Sequence, residues 1–226
     1  MHIKRMSMPK TWPLQRKDKK FITRGRGAQR QELSLPLVVV LRDVLKIAQT
    51  ASEVKKLLKD GNVNINGKVV KDVKSNVGIF DRIYISKIDK QFTIHLMENG
   101  KLNVTEINKN KGSTKPCRII SKRIINKNQL QLNCSDGRNF LFTKHDESKE
   151  YKVGDSILIA IGTNKIIKVL KMEKGAFVLI ISGKNIGKHG KIESLEGKMA
   201  IIHTKHGKVT APKDNLFVLE EREFEK

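Results

Sequence analysis

The stretch SLPLVVVLRDVLKIAQTASEVKKLLKDGNVNINGKVVKDVKSNVGIFDRIYI, residues 34–85, carries the clearest helix and hairpin signals of this chain. Its first half predicts a helix, because apolar residues recur at three- and four-residue spacing. Ser34 is a candidate N-cap, and Pro36 suits the helix start, where a missing N–H costs nothing. The valines at positions 38–40 favour a strand, so propensity alone leaves this prediction open. The predicted apolar stripe comprises Leu37, Val40, Leu41, Val44, Leu45 and Ala48.

Stronger signals mark a second helix and a hairpin. Thr50 and Glu53 form a capping box, and Gly61 predicts the helix end. Apolar and polar residues then alternate, and Asn66-Gly67 predicts a two-residue hairpin turn. The predicted buried face of this helix comprises Ala51, Val54, Leu57 and Leu58.

Lysines occupy the polar side of this unit. Lys55, Lys56 and Lys59 lie within one helical turn and off the apolar stripe, while Lys68 and Lys71 flank the hairpin turn. A helix face and a hairpin tip that both carry lysine suit a phosphate backbone. An ordinary solvated helix face is the alternative interpretation.

The pattern TASEVKKLLKDGNVNINGKVVK, followed by VGIFDRI at residues 77–83, resembles the S-four RNA-binding domain. That module occurs in ribosomal proteins, tyrosyl-tRNA synthetases and pseudouridine synthases. Phe80 stands where the domain usually has a glycine before its aspartate, which predicts an altered closing turn.

The charge balance indicates the class of partner. The 226 residues include 46 Lys and Arg against 23 Asp and Glu, a formal net charge of +23, which predicts a polyanionic partner. Nucleic acid is favoured over a membrane, because neither an apolar run of about 20 residues nor an amphipathic aromatic helix is found. The start, MHIKRMSMPKTW, lacks the apolar region of a signal peptide. Cys117 and Cys134 lack C-x-x-C spacing, which predicts reduced thiols rather than a disulfide framework or a zinc site.

Residues 1–33 are dense in basic side chains, and a free chain of this composition would not fold alone. Pro9, Trp12 and Pro13 are nevertheless unusual in a disordered tail. We therefore expect an arm that becomes ordered against RNA or against the helices after Ser34, with Trp12 as its anchor.

The arm also carries a family signature. HIKRM at residues 2–6, then Pro9, Trp12, Leu14 and Arg16, closely resembles the N-terminus of the eukaryotic and archaeal small-subunit ribosomal protein four family (S-four-e). KFITR at residues 20–24 and SLPL at residues 34–37 continue the match without a gap. The resemblance covers essentially the full chain, fits the shorter archaeal form and implies a central β domain.

From Ile88 onward the pattern is β. Apolar residues alternate over residues 92–96, Asn99-Gly100 is a second hairpin signal, and residues 108–113 predict a polar linker. Many short strands with regular turns predict a small barrel. The further predicted strands are residues 118–125, 129–133, 139–143, 157–161 and 166–170, with a turn at Asp136-Gly137.

The last segment pairs an apolar strand at 176–181 with the loop SGKNIGKHGKI, residues 182–192. Gly183, Gly187 and Gly190 permit positive φ and a close approach to phosphate, with tight turns as the alternative role, above all for Gly190. The arrangement resembles a KOW motif, the strand–loop–strand of an SH3-like barrel. A P-loop is excluded because no Lys-Ser or Lys-Thr pair follows, and G-x-G-x-x-G spacing is absent. Strands near residues 199–204, 208–211 and 216–219 complete the predicted barrel.

No catalytic or metal-binding constellation is predicted. His203 and His206 are three residues apart, but a strand would place them on opposite faces, and two ligands without a third are weak evidence for zinc. The other histidines are scattered, and His145-Asp146-Glu147 predicts a surface turn. No Ser/His/Asp grouping can be defended.

We therefore predict an α+β, multi-domain protein. Its predicted parts are a basic N-terminal arm (1–33), an S-four-like helix pair with a β-hairpin (34–87), a central small β-barrel domain (88–171), a C-terminal KOW SH3-like β-barrel (172–219) and an acidic tail (220–226).

The predicted function is that of a structural constituent of the small ribosomal subunit, which binds and stabilises ribosomal RNA in the cytoplasm. Neighbouring small-subunit proteins are further predicted partners; no enzyme activity, membrane, small-molecule substrate, cofactor or metal is predicted. One alternative is an S-four-domain RNA-modifying enzyme of the pseudouridine synthase type. Such an enzyme needs a catalytic aspartate in an R-L-D-like context, which Asp81-Arg82 does not supply. The other alternative is a KOW-bearing transcription factor. The predicted RNA-binding residues are His2, Lys4, Arg5, Lys10, Trp12, Arg16, Lys20, Arg24, Arg42, Lys55, Lys56, Lys59, Asn66, Lys68, Lys71, Lys184, Asn185, Lys188, His189 and Lys191.

Overall fold

The structure is a computed structural model that describes residues 2–107, 114–126, 129–142 and 151–221. The predicted linker at 108–113, the predicted surface turn at 145–147 and residues 222–226 of the predicted acidic tail lie outside the described residues. Within the described ranges, no helix has the length and hydrophobicity needed to cross a membrane.

The described chain is mostly β-strand, with few helices. The helices are α1 (Leu37–Val39), which continues as a π-helix at Val40–Val44, and α2 (Ala51–Lys59), with 3₁₀ turns at Arg5–Ser7, Gln31–Leu33 and Lys213–Asn215. The strands are β1 (His2–Lys4), β2 (Phe21–Thr23), β3 (Ser34–Pro36), β4 (Val63–Ile65), β5 (Lys68–Val69), β6 (Asn76–Gly78), β7 (Arg82–Ile85), β8 (Lys90–Leu96), β9 (Leu102–Ile107), β10 (Thr114–Asn126), β11 (Gln129–Cys134), β12 (Asn139–Phe142), β13 (Ser156–Ala160), β14 (Ile166–Leu170), β15 (Phe177–Ile180), β16 (His189–Glu196), β17 (Met199–Thr204), β18 (Gly207–Pro212) and β19 (Leu216–Leu219).

The chain forms two compact units. Unit 1 comprises Met1–Ser113 with Ile161–Thr163, and unit 2 comprises Thr114–Ala160 with Asn164–Lys226. Unit 1 contains an antiparallel sheet of order β5-β4-β7-β8-β9 and two two-stranded ribbons, β1-β2 and β3-β6. Its core includes Val54 and Leu58 of α2 and Val63, Ile83 and Ile94 of the sheet, all fully buried.

The first predicted helix differs from the structure at both ends. Ser34 is not an N-cap: it begins β3, which pairs with β6, and its hydroxyl donates to the Arg30 carbonyl at 2.9 Å. The physical reason is Pro36, which disfavours helical backbone in the residue before it, so the helix begins at Leu37. At the other end the π-helix stops at Val44, and Lys46 turns the chain with a φ of 54°.

The second helix follows its prediction closely. It begins after Thr50 and is followed by Gly61, whose φ of 73° is the left-handed conformation expected after a helix end. Val54 and Leu58 are buried and Leu57 is half-buried, but Ala51 is exposed, contrary to its predicted place in the buried face. Ala51 is the first residue of the helix, directly after the cap.

The predicted boundary between residues 87 and 88 falls inside the sheet of unit 1. Strand β7 ends at Ile85, and β8 pairs with it from Lys90, so both sides of the boundary share one sheet. Strand β9 then pairs with β8 through the predicted Asn99-Gly100 turn, where Gly100 has a φ of 74°.

Unit 2 contains two antiparallel sheets, and strand β13 of the first sheet also packs against the second. Their orders are β12-β11-β10-β13-β14 and β18-β17-β16-β15-β19. Ile157 and Ile159 pack in one hydrophobic cluster with β10 and β11, whereas Leu158 packs in the other with Val178 and Val218. Burial on both faces explains why this strand is a continuous apolar run instead of an alternating one. The predicted boundary at residues 171–172 therefore lies between parts that share a core.

Candidate nucleic-acid interface

Helix α2 is held at its start by the predicted capping box. The Thr50 hydroxyl accepts from the Glu53 N–H at 3.2 Å, and the Glu53 carboxylate accepts from the Gln49 N–H at 2.8 Å. Hydrogen bonds to the Glu53 carboxylate, from the Gln49 N–H first and then from the Thr50 side chain, lower the pKa of Glu53. Backbone N–H groups at the helix start thereby find hydrogen-bond acceptors within the same segment.

The lysines of α2 extend into solvent. Lys55, Lys56 and Lys59 are all exposed, while the opposite face carries the buried Val54 and Leu58. Lys56 and Lys59 lie in the last turn, where a positive charge also complements the helix dipole. The helix therefore presents a basic face with its backbone fixed from behind.

The hairpin β4–β5 lies close to the end of this helix. Asn66 and Gly67 have φ angles of 50° and 80°, the two left-handed residues of a type I′ turn. A Cβ added to Gly61 after α2 would lie 3.7 Å from Val69 of β5. The exposed Lys68 follows the turn directly.

A buried carboxylate fixes that turn. Asp81, 2% exposed, accepts from the Asn66 side-chain amide at 2.7 Å, from the Gly78 N–H at 2.6 Å and from the Gln29 amide at 3.0 Å. The Asn66 carbonyl oxygen in turn accepts from the Arg82 N–H at 3.0 Å. Both ends of the Asn66 amide are thus bound within the protein, so this predicted RNA ligand holds the turn in place.

Phe80 lies in the closing turn, which the sequence predicts to be altered. Its φ of 62° is the left-handed conformation that a glycine adopts freely, and its N–H donates to the Ile94 carbonyl at 2.8 Å. For a residue with a side chain this conformation costs about 1–2 kcal/mol. The ring offsets that cost, because it is buried and packs edge-to-face on His95 with centroids 5.8 Å apart.

The N-terminal arm is folded, and Trp12 anchors it. The indole is 2% exposed and its N–H donates to the Gln31 carbonyl at 3.0 Å. Arg5 is also buried; its guanidinium donates a hydrogen bond to the Gln15 carbonyl at 2.6 Å and forms an ion pair with Asp18 at 3.2 Å. Because the Arg5 and Trp12 side chains bind protein groups, we leave them out of the proposed interface.

The other predicted residues of unit 1 differ in how much they extend into solvent. Arg16 donates to the Met6 and Met8 carbonyls, at 3.3 and 2.9 Å, so its guanidinium holds the arm. Arg42 forms a two-pronged ion pair with Asp43 at 2.8 and 2.9 Å, and this hydrogen bonding raises the pKa of the guanidinium. The exposed members of the predicted set in unit 1 are His2, Lys4, Lys10, Lys20, Arg24, Lys55, Lys56, Lys59, Lys68 and Lys71.

Unit 2 contributes the glycine-rich loop between β15 and β16. Gly183 and Gly187 have φ angles of 95° and 90°, as a tight loop requires. Gly190 has a different role from the turn that the sequence allows: a Cβ there would lie 2.1 Å from the His203 carbonyl oxygen. It lies within β16 opposite Thr204, so its glycine permits two strands to pair closely.

The basic residues of this loop differ in their exposure and in their contacts with other side chains. Lys184 is exposed, whereas the Lys188 ammonium donates to the Asn185 side chain at 3.1 Å. Lys191 is exposed and pairs with Glu221 at 2.6 Å, an exposed pair that contributes little stability. His189 is half-buried and packs against Phe177 with ring centroids 5.7 Å apart.

A second cluster of polar groups lies inside unit 2. Lys115, 2% exposed, donates to Asp136 at 3.0 Å, and the Cys117 thiol lies 3.0 Å from the same carboxylate oxygen. Burial would raise the pKa of Asp136, but Lys115, the thiol and the Arg138 N–H together lower it. The side chains of Lys115, Cys117 and Asp136 are therefore buried together, with the charge of Asp136 matched by that of Lys115.

The two cysteines and the pair His203 and His206 are the remaining candidates for reactive or metal-binding groups. Burial raises the pKa of Cys117, and it raises that of Cys134 to about 12; both thiols are free. His203 lies in β17 and His206 in the turn after it. In the described parts of the chain, no group of three or more His, Cys, Asp or Glu side chains could hold a metal ion.

Comparisons with known proteins agree with one another. The profile of the Ribosomal family S4e matches residues 88–166, and that of the S4 domain matches residues 35–83. The small ribosomal subunit protein eS4 of Methanocella arvoryzae is 35% identical over 196 residues, which cover 86% of this chain and 81% of that protein. The eS4 protein of Archaeoglobus fulgidus is 31% identical over 232 residues, covering 100% and 96%.

A solved structure has the same fold. The 30S ribosomal protein S4e from Thermoplasma acidophilum superposes with a TM-score of 0.70 at 28% identity, covering 84% of this chain and 97% of that one. The two alternatives predicted from sequence, an RNA-modifying enzyme and a transcription factor, find no support in these comparisons.

Proposed function

This chain belongs to the ribosomal protein S4e family, and on that premise we propose that it is a structural constituent of the small ribosomal subunit, which binds and stabilises ribosomal RNA. It is a structural component and not an enzyme, and it works in the cytoplasm on the ribosome. Its partners are small-subunit ribosomal RNA and neighbouring ribosomal proteins.

The observation that carries the RNA-binding role is the basic face of α2 beside the hairpin turn. Three lysines project from a capped helix whose other face is buried, and Lys68 follows a turn held by Asp81. A cation held on a fixed backbone loses less conformational freedom on binding than one on a free tail. The face therefore suits a phosphate backbone of defined shape.

We infer three segments of contact along the chain. They are the arm at 1–33, the S-four-like segment at 34–87 and the loop at 183–191, with the sheet β15–β19 as a KOW-type SH3-like barrel and β10–β14 as the central barrel. The proposed phosphate ligands are the exposed cations Lys4, Lys10, Lys20, Arg24, Lys55, Lys56, Lys59, Lys68, Lys71, Lys184 and Lys191, with Lys188 beside them.

Mechanistically, these cations displace counterions from the RNA, and the fixed backbone selects its shape. Most such contacts reach phosphate and sugar, so few bases are read. If about ten phosphates are engaged, the logarithm of affinity falls against the logarithm of salt concentration with a slope near −7 to −9.

The test measures binding of the full chain to protein-free small-subunit ribosomal RNA across a range of salt concentrations. The variant Lys55→Ala/Lys56→Ala/Lys59→Ala is expected to fold, because alanine favours helix, and to make the slope shallower by about 2–3. The matched control is Lys90→Ala/Lys168→Ala/Lys208→Ala, which removes the same charge from exposed lysines already paired with Glu106, Glu220 and Glu193. Salt-independent binding by the wild-type chain, or equal slopes in the two variants, would refute the mechanism.

A further inference from the structure

The ribbon β1–β2 carries an exposed aromatic side chain that lies outside the predicted set of RNA ligands. Phe21 is 45% exposed, and it lies in β2 directly opposite Lys4 of β1. Cross-strand partners share a face, so Phe21 and Lys4 project on the same side of the ribbon. The other face carries Ile22, which is buried.

The ring of Phe21 is held in place from the side. His2 packs edge-to-face against it, with ring centroids 4.4 Å apart and planes at 63°. The Lys20 ammonium lies over the ring, 5.5 Å from its centroid. The ribbon itself is extended by the Arg5 N–H, which donates to the Lys20 carbonyl at 3.0 Å. The ring is therefore an oriented apolar surface surrounded by cations.

An isolated exposed apolar residue requires no explanation, and Met6 in the same arm, 60% exposed, is an example. Phe21 differs because its surroundings are chemically matched to one ligand. Lys20 lies over the ring, and Lys4 is the cross-strand partner of Phe21, so both supply positive charge beside an exposed aromatic side chain. Aromatic rings beside cations are the features with which proteins hold unpaired nucleobases.

Building on the proposed function, we propose that Phe21 stacks on an unpaired base of small-subunit ribosomal RNA, with Lys4 and Lys20 on its flanking phosphates. His2 holds the Phe21 ring at 63° to its own plane and so sets the direction of stacking. As the base arrives, the flexible Lys20 side chain moves from the ring to the phosphate, and its charge stays at the nucleotide. Shape and stacking are recognised here, without a hydrogen bond to a base edge.

The experiment compares full-length Phe21→Ala, Phe21→Leu and Phe21→Trp in binding to protein-free small-subunit ribosomal RNA. Loss of base stacking predicts about 5- to 100-fold weaker binding for the Ala and Leu variants, whereas Trp retains wild-type affinity. The salt slope stays unchanged in all three, while Lys4→Ala/Lys20→Ala makes it shallower by about 1.4–1.8. Met6→Ala is the matched control and binds as the wild type does.

The outcomes separate the two proposals. A wild-type chain that does not bind this RNA overturns the proposed function. A wild-type chain that binds, together with a Phe21→Leu variant that binds within twofold of it, overturns the stacking role alone. Normal RNA affinity of Phe21→Leu with poor incorporation into small subunits would mean that the ring docks on a protein, which also overturns it. Ultraviolet cross-linking of the wild-type chain is expected to place Phe21 on a nucleotide, and that cross-link is lost in Phe21→Leu.

Discussion

Removing the Asp81 carboxylate is expected to destabilise unit 1 by about 3–5 kcal/mol. The carboxylate accepts hydrogen bonds from the Gln29 and Asn66 amides and from the Gly78 N–H, and the bond from Gly78 is buried. Leaving that donor unsatisfied costs about 1–3 kcal/mol, and the half-buried Asn66 and Gln29 amides add about 1 kcal/mol each, since water replaces part of what they lose. The variant Asp81→Asn keeps one acceptor oxygen and should lose about half as much.

Urea unfolding followed by tryptophan fluorescence measures this effect, because Trp12 is the only tryptophan and is buried in unit 1. With a slope of about 2 kcal/mol per molar urea, Asp81→Ala should lower the midpoint by roughly 2 M. The control is Asp60→Ala, which removes the same charge from an exposed residue whose ion pair with Lys87 spans 3.9 Å, and it should change stability by less than about 0.5 kcal/mol. A midpoint for Asp81→Ala within 0.5 M (about 1 kcal/mol) of the control would refute the assignment of the turn's stability to this carboxylate.

Three further predictions concern unit 2 and helix α2. Burial would raise the pKa of Asp136, but in the folded state that pKa is lowered, chiefly by Lys115. The ionised carboxylate therefore stabilises the fold at pH values above its unfolded pKa of about 3.9. This stabilisation is lost as the pH falls through the lower folded pKa. Asp136→Asn should therefore cost about 3–5 kcal/mol at pH 7, because it removes the carboxylate charge that pairs with the buried Lys115 ammonium, and this difference from wild type should narrow at pH 3. A pH-independent difference in urea unfolding would count against the pair. Burial raises the pKa of Cys117 and of Cys134, the latter to about 12, so Ellman's reagent at pH 8 should label both slowly in the native chain and rapidly in urea, and fast native labelling would contradict their burial. Thr50→Ala should cost about 1 kcal/mol in urea unfolding by removing the helix cap, and no change would show that the cap is dispensable.

Local chemistry made several elements predictable from a few neighbouring residues. The capping box at Thr50 and the hairpin turn at Asn66-Gly67 are confirmed, because their hydrogen bonds and left-handed backbone angles depend on adjacent residues. The lysines of α2 are exposed as predicted, since the apolar stripe assigns the other face to the core. Ser34 was misplaced by the same kind of reasoning, because the effect of Pro36 on the residue before it outweighed a favourable capping type.

The positive charge of the candidate site could be predicted from the sequence, but the hydrogen bonds and exposure of its individual side chains could not. Composition marks Arg5 and Arg16 as basic, but both guanidiniums bind carbonyls that lie eight to ten residues away. Phe21 could have been noticed as an aromatic residue between Lys20 and Arg24, although its exposure depends on which face of the ribbon carries Ile22.

Spacing and residue type within short windows were enough to predict a basic β-rich protein with a capped helix, a two-residue hairpin turn and a glycine-rich loop. Three features became visible in the folded chain alone: β8 continues the sheet of β7, β13 is buried on both faces, and Lys115 and Asp81 are buried. Strand pairing and burial depend on residues that are distant in the chain. A buried charge needs hydrogen-bonding partners, and these partners cannot be identified from the residues next to the charge in sequence.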